Sequence, residues 1–86
     1  MKYAVLAGTL SDTVGSYDSK NYPTGFTSTN CTGILAFETG TNIWIPAIYE
    51  GANFCDFAMF PYGIHVYTRA NGAKSKSYKL MLFRTD

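Results

Sequence analysis

The chain has 86 residues, of which 47% are hydrophobic, 16% aromatic and only 15% charged. This length allows one domain, and the aromatic content excludes a disordered chain. Seven basic and six acidic residues leave a net charge of +1, which speaks against a polybasic nucleic-acid-binding surface. The apolar runs fall far short of the about 20 residues that a membrane-spanning helix needs, so no membrane insertion is expected.

The N-terminal segment, residues 1–10, predicts the first strand. Lys2 precedes a short apolar stretch, a pattern that also occurs in secretory signals. The stretch ends at Thr9 and Asp12, and it is short for the apolar core of a signal peptide. We therefore interpret residues 1–10 as a strand and expect the chain to be made in the cytoplasm.

The composition of residues 11–32 predicts a long polar loop. The segment is rich in Ser, Thr, Asn and Gly, and it contains Pro23. Structureless loops of this length are unusual in a compact domain. We expect the segment to wrap the domain, to contribute to an interface or to bind a ligand.

Residues 33–86 predict a series of antiparallel hairpins. Runs of strand-forming residues alternate with turns that contain Gly, Asn, Asp or Pro. Pro46 lacks an amide hydrogen, so the strand over 43–49 belongs at a sheet edge or carries a bulge. Because short hairpins join antiparallel strands, the predicted fold is one all-β domain, a small antiparallel meander sheet or sandwich preceded by the long loop.

The segment 64–69 shows the clearest strand alternation in the chain. In a strand, successive side chains point to opposite faces. The two predicted faces are Ile64, Val66 and Thr68 on one side and His65, Tyr67 and Arg69 on the other. The Asn71-Gly72 pair that follows predicts a hairpin turn.

The sequence offers little for catalysis or metal binding. Cys31 and Cys55 form no Cys-x-x-Cys motif and have no neighbouring histidine, which speaks against a zinc site. We expect both to be buried apolar residues, and a disulfide between them is left open. His65 is the only histidine, and no Gly-x-Ser-x-Gly motif or phosphate-binding glycine loop occurs. We therefore expect no enzyme activity, no cofactor and no metal.

The aromatic residues indicate a contact surface. Seven Tyr and six Phe exceed what one small core can bury, and Tyr is a favoured contact residue. Aromatic rings stack on sugar rings, while Asn and charged side chains hydrogen-bond hydroxyl groups. The candidate ligand-binding residues are Trp44, Tyr49, Asn53, Tyr67 and Arg69. The alternative for each aromatic residue is that it packs in the core.

Several motifs resemble the pyocin-knob domain, which occurs in fibres of phage tails and tailocins. The matching segments are Asn-Tyr-Pro-Thr-Gly at 21–25, Gly-Ile-Leu-Ala-Phe at 33–37, Ile-Pro-Ala-Ile-Tyr-Glu at 45–50 and Ile-His-Val-Tyr-Thr-Arg at 64–69. The resemblance implies a non-enzymatic receptor-binding module of a virion tail. It also implies a homotrimer whose ligand is a host cell-surface glycan or protein.

The same resemblance suggests which residues would hold subunits together. An exposed apolar run marks an interface, and the segment from residue 54 to 60 is longer and more apolar than the turn that usually precedes the Tyr-x-Arg strand in that family. The candidate oligomer contacts are therefore Phe54, Phe57, Met59 and Phe60.

A second hypothesis is a free-standing phage-encoded inhibitor that binds a host defence protein or sequesters a signalling nucleotide. Phosphate groups need Lys, Arg or backbone amide nests, and the sequence has no basic cluster. A nucleotide site would require Arg69, Lys74, Lys76 and Lys79 to converge across an oligomer interface. A structural decoration of a tail or capsid is a third possibility.

Overall fold

A computed structural model describes residues 2–86, and the regular secondary structure in this range is almost entirely β-strand. The strands are β1 (Tyr3–Thr9), β2 (Tyr17–Lys20), β3 (Cys31–Gly40), β4 (Ile43–Pro46), β5 (Ile48–Tyr49), β6 (Ala52–Asn53), β7 (Cys55–Phe60), β8 (Gly63–Thr68) and β9 (Ser77–Arg84). A single 3₁₀ turn over Asn71–Ala73 separates β8 from β9. No helix in the described range has the length and apolarity needed to cross a membrane.

The strands form two antiparallel sheets and a small hairpin. The four-stranded sheet has the order β1-β9-β3-β4, the three-stranded sheet has the order β2-β8-β7, and β5 pairs with β6. The inner faces of the two sheets share one hydrophobic core. The prediction of an all-β antiparallel domain is confirmed, and the arrangement is the sandwich.

The core follows from the two-residue period of the strands. On β8, Ile64, Val66 and Thr68 are all fully buried, as the alternation predicted. They face Leu35 and Leu80 from the other sheet, within the same cluster. Because every second side chain points inward, the opposite side chains of each sheet remain on the surface.

The four-stranded sheet is assembled from strands that are distant in the chain. Strand β9 lies between β1 and β3, with Leu80 paired to Leu6 on one side and to Leu35 on the other. The first and last strands are therefore neighbours, and the pairing of Tyr3 with Phe83 places the two chain ends at the same end of the sheet.

The segment predicted as a long loop contains a strand. Tyr17–Lys20 forms β2, which pairs with β8. The preceding residues are held by Thr68, whose hydroxyl donates to the Ser11 carbonyl at 2.8 Å. Its amide donates to the Ser16 carbonyl at 3.0 Å. The sequence did not predict this strand, because its composition is polar and shows no apolar alternation. Pairing with β8 and tertiary contacts hold the strand in place.

The remainder of that segment is a loop fastened to the end of the four-stranded sheet. Arg84 donates from Nη1 to the Gly25 carbonyl at 2.9 Å, and the Thr85 amide donates to the Asn30 carbonyl at 2.8 Å. The Asn30 side chain also bridges the loop, since its Oδ1 accepts from the Thr27 amide at 2.8 Å. These bonds tie the loop to the C-terminal end of β9.

The predicted hairpin turn at Asn71-Gly72 is wrong. These residues begin the 3₁₀ turn, and the chain then crosses from the three-stranded to the four-stranded sheet. An Asn-Gly turn joins a hairpin only when its flanking strands pair with each other. Here β2 and β7 occupy both edges of β8, so β9 cannot join it.

The strand predicted over 43–49 is divided in two. Its first part, β4, ends at Pro46 and forms one edge of the four-stranded sheet, in agreement with the missing amide hydrogen of proline. The chain then leaves the sheet and continues as β5 in the separate β5–β6 hairpin.

Candidate binding surface

The outer face of the three-stranded sheet carries a cluster of aromatic rings. Alternation on β8 points His65 and Tyr67 outward, and the β2–β8 register places Tyr17 opposite Tyr67. Phe60 at the end of β7 and Tyr62 in the following turn complete the cluster. These five residues are called the aromatic surface below.

The rings of the aromatic surface contact one another continuously. Tyr17 stacks on His65 with ring centroids 3.8 Å apart and planes at 8°. Phe60 stacks on Tyr62 at 5.2 Å and 6°. The two stacks meet where Phe60 lies 5.0 Å from His65, and the His65 ring also lies 6.0 Å from that of Tyr67. Rings that pack together in this way lose little further freedom when a ligand binds.

The aromatic surface remains open to solvent. Tyr62 is 72% exposed and Tyr17 is 47% exposed, while Phe60, His65 and Tyr67 are partly buried against their neighbours. A ligand lying across the sheet could therefore contact several rings at once.

Polar side chains border the aromatic surface beside Tyr67. Arg69 donates from Nε to both carboxylate oxygens of Asp56, at 2.9 and 3.0 Å. The Arg69 guanidinium lies 4.3 Å from the centre of the Tyr67 ring, a cation–π contact. Asn53 donates from Nδ2 to Asp56 at 3.3 Å. The border is electrically balanced, and it presents oriented hydrogen-bonding groups next to a ring plane.

The structure brings together three of the five predicted ligand-binding residues. Asp56 joins Arg69 to Asn53, and the Arg69 guanidinium lies over the Tyr67 ring. Tyr49 lies on the β5–β6 hairpin, where it is 43% exposed, and no ring contact within residues 2–86 links it to the aromatic surface. Trp44 lies on β4 of the other sheet, with the Lys79 ammonium 4.3 Å from its ring centre.

Sequence reasoning did not assign Tyr17, Tyr62 and His65 to the site. Tyr17 lies in the predicted loop, and only the β2–β8 register brings it to His65. Tyr62 lies in the turn between β7 and β8, for which no binding role was predicted from the sequence. The outward position of His65 was predicted from alternation, but a solvated or hydrogen-bonded role was preferred.

Of the four predicted oligomer contacts, three pack against the core and one lies on the surface. Phe54, Phe57 and Met59 pack against the hydrophobic core. Phe54, for example, lies 5.3 Å from the Phe37 ring. Phe60 belongs to the aromatic surface. Packing within the subunit thus accounts for the apolar character of three of these residues.

The two cysteines are free and buried, as expected from the sequence. Burial, with a smaller effect from the neighbouring Asp56 carboxylate, raises the pKa of the Cys55 thiol to about 12. Burial also raises the pKa of Cys31, whose thiol donates to the Thr27 carbonyl at 3.2 Å. Raised pKa values keep both groups as weakly reactive thiols.

A shallow polar depression of about 290 Å³ lies between the β3–β4 turn and the start of β9. Its lining includes Glu38, Lys76 and Ser77. The Glu38 carboxylate accepts from the Asn42 amide at 2.9 Å and so fixes the turn. Across residues 2–86, no group of three or more His, Cys, Asp or Glu side chains could hold a metal ion.

Comparison of the chain with protein-family models, curated proteins and solved structures finds no match. The likeness to the pyocin-knob domain therefore rests on the sequence motifs alone.

Proposed function

We propose that this chain is a non-enzymatic recognition domain whose aromatic surface binds a cell-surface carbohydrate. The observation that carries the proposal is the continuous cluster of five rings in mutual contact, with a polar border of Asn53, Asp56 and Arg69. The C–H faces of sugar rings pack on aromatic planes, and their hydroxyl groups hydrogen-bond oriented polar side chains. The surface offers both kinds of contact side by side.

The charge distribution favours a neutral sugar over a phosphate-bearing ligand. Arg69 borders the aromatic surface, but Asp56 neutralises it. Lys79, one of the bases considered for a nucleotide site, lies on the opposite sheet over Trp44. A phosphate group favours a charged donor that is not already paired, which makes nucleotide sequestration the weaker hypothesis.

The pyocin-knob resemblance supports a location, an assembly and a ligand class for this domain. In that setting the domain lies at a phage tail fibre, is made in the host cytoplasm, assembles as a homotrimer and recognises a glycan or a protein on the host. Immunodetection in purified phage particles tests this part of the proposal. A signal on the tail is expected, whereas a chain found only in infected-cell cytosol favours the inhibitor hypothesis.

Binding to bacterial surface polysaccharides tests the carbohydrate proposal directly. Calorimetric titration of the chain with purified capsular and O-chain polysaccharides should give saturable binding with at least one of them. Tyr67→Ala should then weaken binding by about 2 kcal/mol or more, roughly 30-fold, because it removes the ring that lies between His65 and the polar border. Tyr17→Ala should act in the same direction.

Tyr49→Ala is the matched control for these variants. Tyr49 is exposed to nearly the same extent as Tyr17, 43% against 47%, but lies outside the aromatic surface. Its removal should leave the affinity unchanged. Equal binding by Tyr67→Ala and the unmodified chain would exclude the aromatic surface as the site. Binding of a host protein in place of every polysaccharide would reassign the ligand class.

A further inference from the structure

Strand β1 forms an open edge of the four-stranded sheet. It pairs with β9 on one side in unbroken register, and no strand within residues 2–86 pairs with it on the other. An edge strand presents a row of backbone N–H and C=O groups in the geometry that another strand needs. Because β1 and the aromatic surface belong to different sheets, the inference drawn from this edge does not rest on the proposed carbohydrate binding.

Two hydrogen bonds that flank β1 show which of its backbone groups face outward. The Arg84 amide donates to the Lys2 carbonyl at 2.9 Å, and the Leu10 amide donates to the Lys76 carbonyl at 2.8 Å. Both bonds continue the register of the β1–β9 pair. Hydrogen-bonded and non-hydrogen-bonded pairs alternate along an antiparallel ladder, so the even-numbered residues of β1 bond to β9. The odd-numbered residues turn their amide and carbonyl groups to the open edge, and they are Tyr3, Val5, Ala7 and Thr9.

The outward-facing backbone groups of β1 are left to solvent. No loop within residues 2–86 makes a backbone hydrogen bond to them. The side chains of the same odd-numbered residues are exposed, so a second strand has free access to the edge.

The other sheet edges carry features that discourage strand pairing, and β1 carries none. Short strands, charged side chains, proline and bulges are the usual protections of an edge. Strand β4 has four residues, ends at Pro46 and lies beside a register shift in β3. Strand β2 has four residues, two of them Asp18 and Lys20, and β7 contains Asp56. Strand β1 has seven residues with no charge, no proline and no bulge.

A second copy of β1 fits the open edge in antiparallel register. A two-fold axis through Leu6, perpendicular to the sheet, overlaps the two strands from end to end. The odd-numbered residues then exchange about eight hydrogen bonds between the copies. The hydrogen-bonded pairs are Tyr3 with Thr9 and Val5 with Ala7, each formed twice. No charged side chain opposes another, because β1 contains none.

We propose that two copies of this chain associate by antiparallel pairing of their β1 strands, which joins their four-stranded sheets into one continuous sheet. A two-fold contact of this kind is closed, so it ends at two copies. The contact is one strand wide, and the dimer is therefore concentration-dependent. It is an alternative to the homotrimer that the pyocin-knob resemblance implies.

Sedimentation equilibrium from about 10 µM to about 1 mM tests the dimer. The mass should rise with concentration from 9.5 kDa towards twice that value. Val5→Pro should raise the dissociation constant about tenfold or more, because the Val5 amide faces the open edge and its loss costs a hydrogen bond in each direction. The bonds between β1 and β9 do not use this amide, and circular dichroism should show that the variant is folded.

Ile34→Lys is the matched control for Val5→Pro. Ile34 is 63% exposed, but it lies on β3 inside the sheet and not at an edge. This variant should dimerise like the unmodified chain. A loss of association in Ile34→Lys and none in Val5→Pro would assign the contact to the sheet face and overturn the proposal.

Cross-linking tests the register independently of Val5→Pro. Leu6→Cys should give a disulfide-linked dimer under mild oxidation, because a non-hydrogen-bonded pair at the axis has its Cα atoms about 4.5 Å apart. Ala7→Cys introduces a more exposed thiol, but the two copies of this thiol would lie diagonally, about 7–8 Å apart, and should not cross-link. The native cysteines are buried.

Three results would overturn the proposal. They are a monomeric mass at all concentrations, a trimeric mass, and cross-linking of Ala7→Cys that equals or exceeds that of Leu6→Cys. If Val5→Pro unfolds, the cross-linking pair decides the register by itself.

Discussion

At the scale of single residues, the hydroxyl of Tyr78 joins the two sheets. Tyr78 on β9 is fully buried, and its Oη donates to Oδ2 of Asp18 on β2 at 2.6 Å. An acceptor with negative charge makes this a charge-assisted bond. The bond fixes the position of β2 relative to the four-stranded sheet, and β2 in turn carries Tyr17 of the aromatic surface.

Tyr78→Phe should destabilise the fold by about 1.5–3 kcal/mol, the usual contribution of a hydrogen bond to a charged group. The change removes one donor and leaves the ring in place. Urea unfolding followed by circular dichroism measures the effect. Tyr62→Phe, at a position that is 72% exposed, should leave the unfolding free energy unchanged, and an equal loss in both variants would contradict the assignment.

The same hydroxyl makes stability sensitive to alkali. Burial is the largest cause that raises the pKa of Tyr78 well above its ordinary value. The hydrogen bond to Asp18 and the negative charge of that carboxylate raise it further. Above about pH 10 the unfolded chain releases this proton while the folded chain retains it. The free energy of unfolding should therefore fall as pH rises past about 10, and it should fall less steeply in Tyr78→Phe.

The buried thiols should resist modification until the protein unfolds. Cys55 is fully buried and its pKa is about 12, and the pKa of Cys31 is also raised. At pH 8 an aromatic disulfide reagent should modify both thiols about 100-fold or more slowly in the native protein than in guanidinium chloride, because reaction requires opening of the fold. Rapid modification of one thiol in the native protein would show that this cysteine is accessible without unfolding.

At the scale of strands, the close approach of β1 to β2 depends on Gly8. A Cβ atom at this position would lie 2.7 Å from Asp18 Oδ2 and 2.8 Å from Tyr78 Oη. These distances are too short for non-bonded contact. Only glycine therefore leaves room for the bond between the two side chains.

Gly8→Ala should destabilise the protein by about 1–3 kcal/mol, the usual cost of overfilling a packed site. Thermal unfolding provides the measurement. The control is Gly40→Ala, where the added Cβ would lie 3.7 Å from its nearest neighbour, Ile43 Cδ1. It should change stability by less than about 0.5 kcal/mol. Similar losses in the two variants would refute a specific role for the Gly8 position.

Strands with regular alternation could be predicted, and strands held by distant partners could not. The pattern of β8 correctly placed Ile64, Val66 and Thr68 in the core. Strand β2 has a polar composition and is defined by pairing with β8, which lies almost fifty residues later in the chain. The same holds for the candidate site. The alternation of β8 predicts the outward position of Tyr67, whereas the position of Tyr17 depends on the register between β2 and β8.

At the scale of the whole molecule, the two outer faces of the sandwich differ in chemistry. The three-stranded sheet presents stacked rings with a balanced polar border. The four-stranded sheet presents apolar side chains, among them Tyr3, Val5, Ile34 and Met81, together with Lys79 over Trp44. The proposed sugar-binding groups therefore lie on one side of the molecule only.

The adjacency of β1 and β9 also determines how the domain responds to force. The two strands are antiparallel, and the pair Tyr3 and Phe83 lies at the ends of both. A load that pulls the chain ends apart would open their ladder one hydrogen-bonded pair at a time, instead of shearing all pairs together. The β1–β9 ladder should therefore separate at a lower force than a ladder of the same length that is loaded in shear.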